Sequence, residues 1–144
     1  MLDVLREIGS RWGVVGSDIQ PRRDDVVRCD FLSDSPPGDL RFAAEHGRVD
    51  AIITNPPFNL APQMIEHAMS YRPCFVAFLL KSTFWQAARR RPLFLSHQPS
   101  AIHPLLWRPD FLGLGAPTME VSWVVWDRSS FRGVTSYEPL TKPA

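Results

Sequence analysis

The run from Phe75 to Leu80, FVAFLL, is apolar at every position. A half-exposed strand alternates apolar and polar residues, and a surface helix carries one apolar stripe. An unbroken apolar run of this length is the pattern of a strand covered on both faces. It is also too short to cross a bilayer. Comparable short runs recur along the chain. Val14 and Val15 lead to Gly16-Ser17-Asp18, and Val26 and Val27 lead to Cys29-Asp30; both read as short buried strands ending in an aspartate. Ala51, Ile52 and Ile53 form the next strand, and Ile102–Trp107 and Val121–Trp126 form two late ones.

Helical patterns lie between them. Leu2, Val4, Leu5 and Ile8 share one helical face, with Gly9 as a stop. A short helix over Leu40–Glu45 follows the Pro36-Pro37-Gly38 turn. Leu60–Ser70 reads as a helix that tolerates Pro62 in its first turn. Phe84–Leu95 reads as a helix that is basic at its centre and bent or ended by Pro92. Strands alternating with helices predict an α/β fold with a mostly parallel sheet. The last two strands have no helix between them, which predicts an antiparallel C-terminal edge hairpin. The tail from Arg128 is polar and is expected to fray. With 144 residues and no repeat or linker, a single domain spanning residues 1–144 is expected.

Composition narrows the function. The net charge of +1 supplies no overall field for nucleic acid, so such a partner needs a local basic patch. Cys29 and Cys74 have no CxxC or metal spacing and read as free buried thiols in a reducing compartment. The N-terminus lacks the long apolar core of a signal peptide. The expectation is a cytoplasmic protein without a membrane partner. His46, His67, His97 and His103 share no ligand spacing, so no metal site is expected.

The stretch Asn55-Pro56-Pro57-Phe58 carries the chemistry. Asn55 and Pro56 each precede a proline and are pushed to extended backbone. Two prolines also remove two N–H donors. What remains is a stiff set of acceptors, the Asn55 side-chain oxygen and nearby main-chain carbonyls. Such a set suits a substrate that donates two hydrogen bonds from one NH2 group. Held that way, an aromatic amine has its lone pair localised and aimed. Phe58 offers a flat face on which a planar base can stack. A tight strand-to-helix turn is the alternative reading of any single Pro-Pro pair.

Thr54–Phe58, T-N-P-P-F, resembles the catalytic signature of S-adenosylmethionine-dependent amino-methyltransferases, most closely the phage-type DNA adenine-N6 methyltransferases. VVGSDI (Val14–Ile19) resembles the strand whose acidic end binds the cofactor ribose, and CDFL (Cys29–Leu32) is similar to the next cofactor strand. VAFLLKSTFW, LLWRPDF and MEVSWVVWDR look like later strands and rim loops of the same enzymes. The resemblance implies a Rossmann-like class I methyltransferase sheet that uses S-adenosylmethionine and acts on DNA. It implies cofactor contacts from Asp18, Ile19, Asp30, Phe31 and Asn55. Asn55 and the Pro56 carbonyl would hold the target amine, with Pro57 stiffening the turn and Phe58 stacking on a flipped base.

The family's first strand and glycine-rich loop should precede the first helix, and this sequence starts at that helix. Gly9, Gly13 and Gly16 lack G-x-G-x-x-G spacing, and Gly113–Pro117, GLGAP, comes late and opens no helix. An N-terminally truncated sheet and weakened cofactor affinity are therefore expected. The first strand normally lies between the Asp18 and Asn55 strands. Its place is then closed up, filled by a strand from a partner or second copy, or encoded upstream of Met1. A fold-retaining remnant or accessory protein without catalysis is the competing expectation. Guanine N2 in RNA and a glutamine amide are alternative acceptors.

Other residues were weighed on the same terms. Arg89-Arg90-Arg91 and Arg108 are candidates for DNA phosphates, although charge runs are more often merely solvated. Lys81 and Trp85 fit either a pocket lining or packing, and Asp110 fits the rim. Trp107, Trp123 and Trp126 alternate with apolar residues and read as core. Asp34, Asp39 and Asp50 read as turn or cap residues.

Overall fold

A computed structural model describes residues 1–8, 13–33, 49–111, 113, 115 and 117–143. The expected stop at Gly9, the Pro36-Pro37-Gly38 turn, the Leu40–Glu45 helix, Asp34, Asp39 and His46 lie outside the described residues. The chain forms two compact units, Met1–Arg48 and Val49–Ala144.

In the first unit, α1 (Leu2–Ile8) accompanies β1 (Gly16–Asp18) and β2 (Val26–Arg28). The two strands pair in parallel, Gly16 opposite Val26 and Asp18 opposite Arg28. The Cys29 N–H continues the ladder by donating to the Asp18 carbonyl at 2.9 Å. These strands were expected to be buried, and they are not. Ser17, Asp18 and Arg28 are exposed, and Val26 and Val27 only half-buried. A two-strand ladder offers each strand one neighbour and little cover. Leu2 of α1 packs close over Gly16: a Cβ there would fall 2.7 Å from Leu2 Cδ2, and that side-chain tip would have to shift. Arg23 ties the elements together. It donates to both Asp3 oxygens at 2.6 and 2.8 Å, and to Asp25 through Nε at 2.8 Å and Nη2 at 2.9 Å. Arg6 of α1 donates to Asp25 Oδ2, the oxygen that Arg23 Nη2 also reaches.

In the second unit the elements are β3 (Ala51–Thr54), α2 (Ala61–Ser70), β4 (Phe75–Lys81), two 3-10 turns (Phe84–Gln86 and Ala88–Arg90), α3 (Arg91–Ser96), β5 (Ala101–Pro104), β6 (Val121–Asp127) and β7 (Ser136–Tyr137). The sheet runs β3-β4-β6-β5-β7. Val76 to Leu80 are all buried, so β4 is covered on both faces as its sequence predicts. On α2, Ala61, Met64, Ile65 and Ala68 are buried, the spacing of one helical face. The Phe78 ring meets Trp126 edge-on, with centroids 6.1 Å apart.

The α/β class stands, but the expected mostly parallel sheet does not. β3–β4 and β5–β7 are parallel, whereas β4–β6 and β5–β6 are antiparallel. β5 and β6 pair antiparallel as foreseen, yet they do not form the edge. β6 lies between β4 and β5, because its run of Val121, Ser122, Val124 and Trp126 is buried and requires cover. The edge belongs to the tail, which was expected to fray. Ser136 N–H donates to the Ser100 carbonyl at 2.9 Å, Glu138 N–H to Ile102 at 3.1 Å and Leu140 N–H to Pro104 at 2.8 Å. Backbone groups hold this strand, so its polar side chains gave no sign of it.

Three further expectations change. Phe84–Leu95 is not one helix: Ala87 is extended (φ −86°, ψ 120°), and Pro92 sits in the first turn of α3 instead of ending a helix. Cys29 is buried but Cys74 is exposed. Trp126 is buried, donating to the His97 carbonyl at 2.7 Å, while Trp107 and Trp123 are only half-buried. Asp50, expected as a turn or cap residue, leads into β3, and its carbonyl receives the N–H groups of Cys74 and Phe75 at the start of β4, each at 3.0 Å. Among the described residues no helix is long and apolar enough to cross a membrane.

Two predictions follow from these contacts. Hydrogen bonds from Arg23, then Arg6, hold the Asp25 carboxyl down at about 2, and Arg23 lowers Asp3. A carboxylate depressed by folding stabilises above its unfolded value, about 3.9. That contribution is lost as pH falls through the folded value. Amide chemical shifts of α1 should therefore move toward coil values between about pH 4 and pH 2. Asp25→Asn should remove much of this transition; because the pairs are exposed, the effect is modest and weakened by salt. The second concerns Arg72, which closes α2 with φ +52°, a left-handed conformation that glycine adopts freely. Arg72→Gly should raise stability by about 0.5–1 kcal/mol in urea denaturation. A loss of stability would show that the Arg72 side chain matters more than its backbone.

Candidate active site

Pairing between β3 and β4 stops at Thr54 opposite Phe78. Pro56 and Pro57 come next and have no N–H to give a ladder. The chain turns there, with Leu60 N–H donating to the Pro57 carbonyl at 2.9 Å, and α2 begins at Ala61. β4 runs on past the end of β3 to Lys81. The corner Asn55–Phe58 thus stands at the carboxyl end of one strand, beside the carboxyl end of its parallel neighbour. In open α/β sheets this is where ligands bind.

Asn55 is exposed, Pro56 is buried and Phe58 is half-buried. Among the described residues nothing hydrogen-bonds to the Asn55 carboxamide, and no backbone N–H donates to the Asn55 or Pro56 carbonyl. The acceptors that the double proline was expected to leave unclaimed are therefore free of internal partners. Lys81 is exposed, and its Nζ stands 5.3 Å from the centroid of the Phe58 ring. Read as pocket lining or packing, Lys81 lines neither of the second unit's two shallow depressions. One face of Phe58 thus has a cation over it.

Asp18 and Asp30 come to the same end of the β1–β2 ladder in the first unit. Both are exposed, and each spends one oxygen on its own turn. Asp18 Oδ1 accepts from Gln20 N–H at 2.7 Å, and Asp30 Oδ1 from Leu32 N–H at 2.9 Å. The second oxygen of each remains an acceptor for a hydroxyl or amino group. Ile19 is exposed and Phe31 half-buried beside them. Burial, reinforced by the Asp30 charge, pushes the neighbouring Cys29 thiol up, and its Sγ contacts the Asp30 carbonyl at 3.3 Å. It is therefore no nucleophile.

The rim of the second unit has further polar structure. Asp110 accepts from Gly115 N–H at 2.6 Å, so it stabilises the loop before β6. Gly113 and Gly115 have φ of +68° and +74° and serve that turn. Arg108 pairs with Glu120 at 2.8 Å, which reduces its value as a free phosphate contact. Trp85 packs edge-on against Phe84 and Phe94, at centroid separations of 4.7 and 5.2 Å, and so favours the packing alternative. His67 meets the Tyr71 hydroxyl at 3.1 Å and His103 the Glu138 carbonyl at 2.9 Å. Among the described residues no group of three His, Cys, Asp or Glu side chains is arranged to hold a metal.

Two shallow depressions open in the second unit. One, about 360 Å³, is lined by Arg72, His97, Trp126 and Arg128 among others. The other, about 430 Å³, lies at Trp85, Arg90, Arg91 and Phe94. Neither includes Asn55–Phe58. Sequence reasoning did not foresee the cation above Phe58; the signal was a lysine closing an otherwise apolar strand. No family model, no curated protein and no solved structure matches the chain.

Proposed function

We propose that this chain is an N-methyltransferase that moves a methyl group from S-adenosylmethionine to an exocyclic amine, adenine N6 in DNA before guanine N2 in RNA or a glutamine amide. The observation that carries the reading is the Asn55-Pro56 corner, where acceptors without internal partners follow a strand end and adjoin a half-buried aromatic ring. The Asn55 oxygen and the Pro56 carbonyl accept the two hydrogens of the amine. This holds the nitrogen lone pair out of conjugation and directs it away from the ring. Phe58 supplies the ring on which the base stacks. Pro57 stiffens the turn, so little order has to be imposed when substrate arrives.

The donor set suits the cofactor. Asp18 and Asp30 each keep one carboxylate oxygen not used by their turns, in keeping with a ribose hydroxyl and an adenine amino group. Ile19 and Phe31 supply apolar contacts beside them. S-adenosylmethionine supplies a methyl group activated on a sulfonium. On this reading the protein acts as one methyltransferase-like domain, working in the cytoplasm on DNA. A second copy or partner strand would complete the sheet at β1 or β3, each of which has one ladder neighbour among the described residues.

A second reading, an accessory protein that keeps the fold without the cofactor, is favoured by one observation. Neither depression is lined by Asn55, Asp18 or Asp30. Calorimetric titration with S-adenosylmethionine separates the two. Heat of binding below about 1 mM is expected for the enzyme, and silence at that concentration favours the accessory protein. With binding established, methyl transfer to DNA, RNA and a glutamine peptide identifies the acceptor. Asn55→Ala should lower kcat about 100-fold or more. Phe58→Ala should weaken substrate binding by about 1–3 kcal/mol. Unchanged activity in both variants would remove this site assignment.

A further inference from the structure

The Arg89-Arg90-Arg91 run is not a set of loose surface charges. The Arg90 guanidinium carbon lies 4.1 Å from the Phe84 ring centroid, and its Nη1 donates to the Phe84 carbonyl. Phe84, Trp85 and Phe94 interlock edge-to-face beneath it. Partial burial, with the Arg89 charge adding to it, pulls the Arg90 guanidinium down from its ordinary value. Arg89 and Arg91 flank it, both exposed and without ion-pair partners among the described residues.

Trp85, Gln86, Arg90, Arg91 and Phe94 line the depression of about 430 Å³, and no acidic side chain lines it. Two buried polar atoms in its lining residues have no partner, Trp85 Nε1 and Arg90 Nε. Both are hydrogen-bond donors. A buried donor without an acceptor costs about 1–3 kcal/mol and calls for an explanation. Aromatic packing fixes the central arginine and two exposed guanidiniums flank it, so the lining is cationic and suits an acceptor-rich anion. The other depression lacks this pattern, since Arg128 there already donates to the Arg72 carbonyl at 3.4 Å.

We infer that this arginine-and-aromatic depression binds the phosphodiester backbone of the nucleic acid, with Arg89 and Arg91 as the phosphate contacts and Arg90 as the fixed residue between them. The inference rests on the nucleic-acid reading above and adds the surface that grips the strand. The segment leaves the carboxyl end of β4, which neighbours the end of β3 where Asn55 stands. A chain of net charge +1 needs such a local patch, because its overall field recruits nothing. Phosphate contacts of this kind fix position without reading sequence.

The test is fluorescence anisotropy with a labelled 20-nucleotide DNA, single-stranded and duplex, without cofactor, across a series of salt concentrations. Arg89→Gln/Arg91→Gln should weaken binding about tenfold near 0.1 M salt and reduce the salt slope by about 2, one per lost phosphate contact. Arg89→Lys/Arg91→Lys should restore most of both. A methylphosphonate oligonucleotide, which has no backbone charge, should bind the wild type and the glutamine variant alike. Circular dichroism checks that each variant is folded. Equal affinity and slope in the wild type and the glutamine variant would overturn the inference while leaving the methyl-transfer reading intact. Absence of DNA binding by the wild type would overturn it as well. Weakened binding in a protein that transfers no methyl group would keep the surface and sink the enzyme reading.

Discussion

Burial of β4 on both faces is the constraint around which the second unit is arranged. Val76, Phe78 and Leu80 project to one side of the strand and Ala77 and Leu79 to the other, and all five are buried. Such a strand cannot lie at an edge, so it takes β3 on one side and β6 on the other. Its parallel partner then ends where prolines remove the donors, and β4 continues to Lys81 with β6 as its neighbour there. The candidate site exists because these two strands stop at different points. The longer one carries a cation to the ring that follows the shorter one.

Short apolar runs and their chemistry were legible in the residues. The position of every expected strand was recovered to within a few residues, as was the helix expected over Leu60–Ser70. Pairing between β3 and β4 ends just before the double proline, which the residues presented as a stiff set of acceptors. What the residues concealed was held by backbone groups or decided by neighbours. β7 pairs through N–H and C=O groups that every residue type carries. Strand direction within the sheet depends on which runs need cover on both sides, and Val121–Trp126 needed more than an edge supplies. Pro92 illustrates a local ambiguity, since the same ring that ends a helix also suits the first turn of one. Ala87, extended between two 3-10 turns, decides that case.

The two ends of the proposed chemistry differ in electrical character. Around Asn55 the groups are neutral acceptors, suited to an amine without attracting the phosphate chain. Positive charge lies on Lys81, over the Phe58 ring, and on the arginine run. On the proposed reading, the arginine run would hold a polyanion by its backbone while the reacting nitrogen meets the Asn55 and Pro56 oxygens. The acidic tips at Asp18 and Asp30 carry the opposite sign and belong to the first unit.

The polar tail has a role that its composition conceals. By pairing with β5 from Ser136 and bridging Leu105 at Leu140, it occupies a row of main-chain groups that would otherwise lie bare. A bare sheet margin is a template on which further chains can stack. Proteolytic clipping behind Phe131 would uncover that margin without touching a single residue of the core. On such a clipped chain the margin over residues 101–105 would be open to pairing with a further strand.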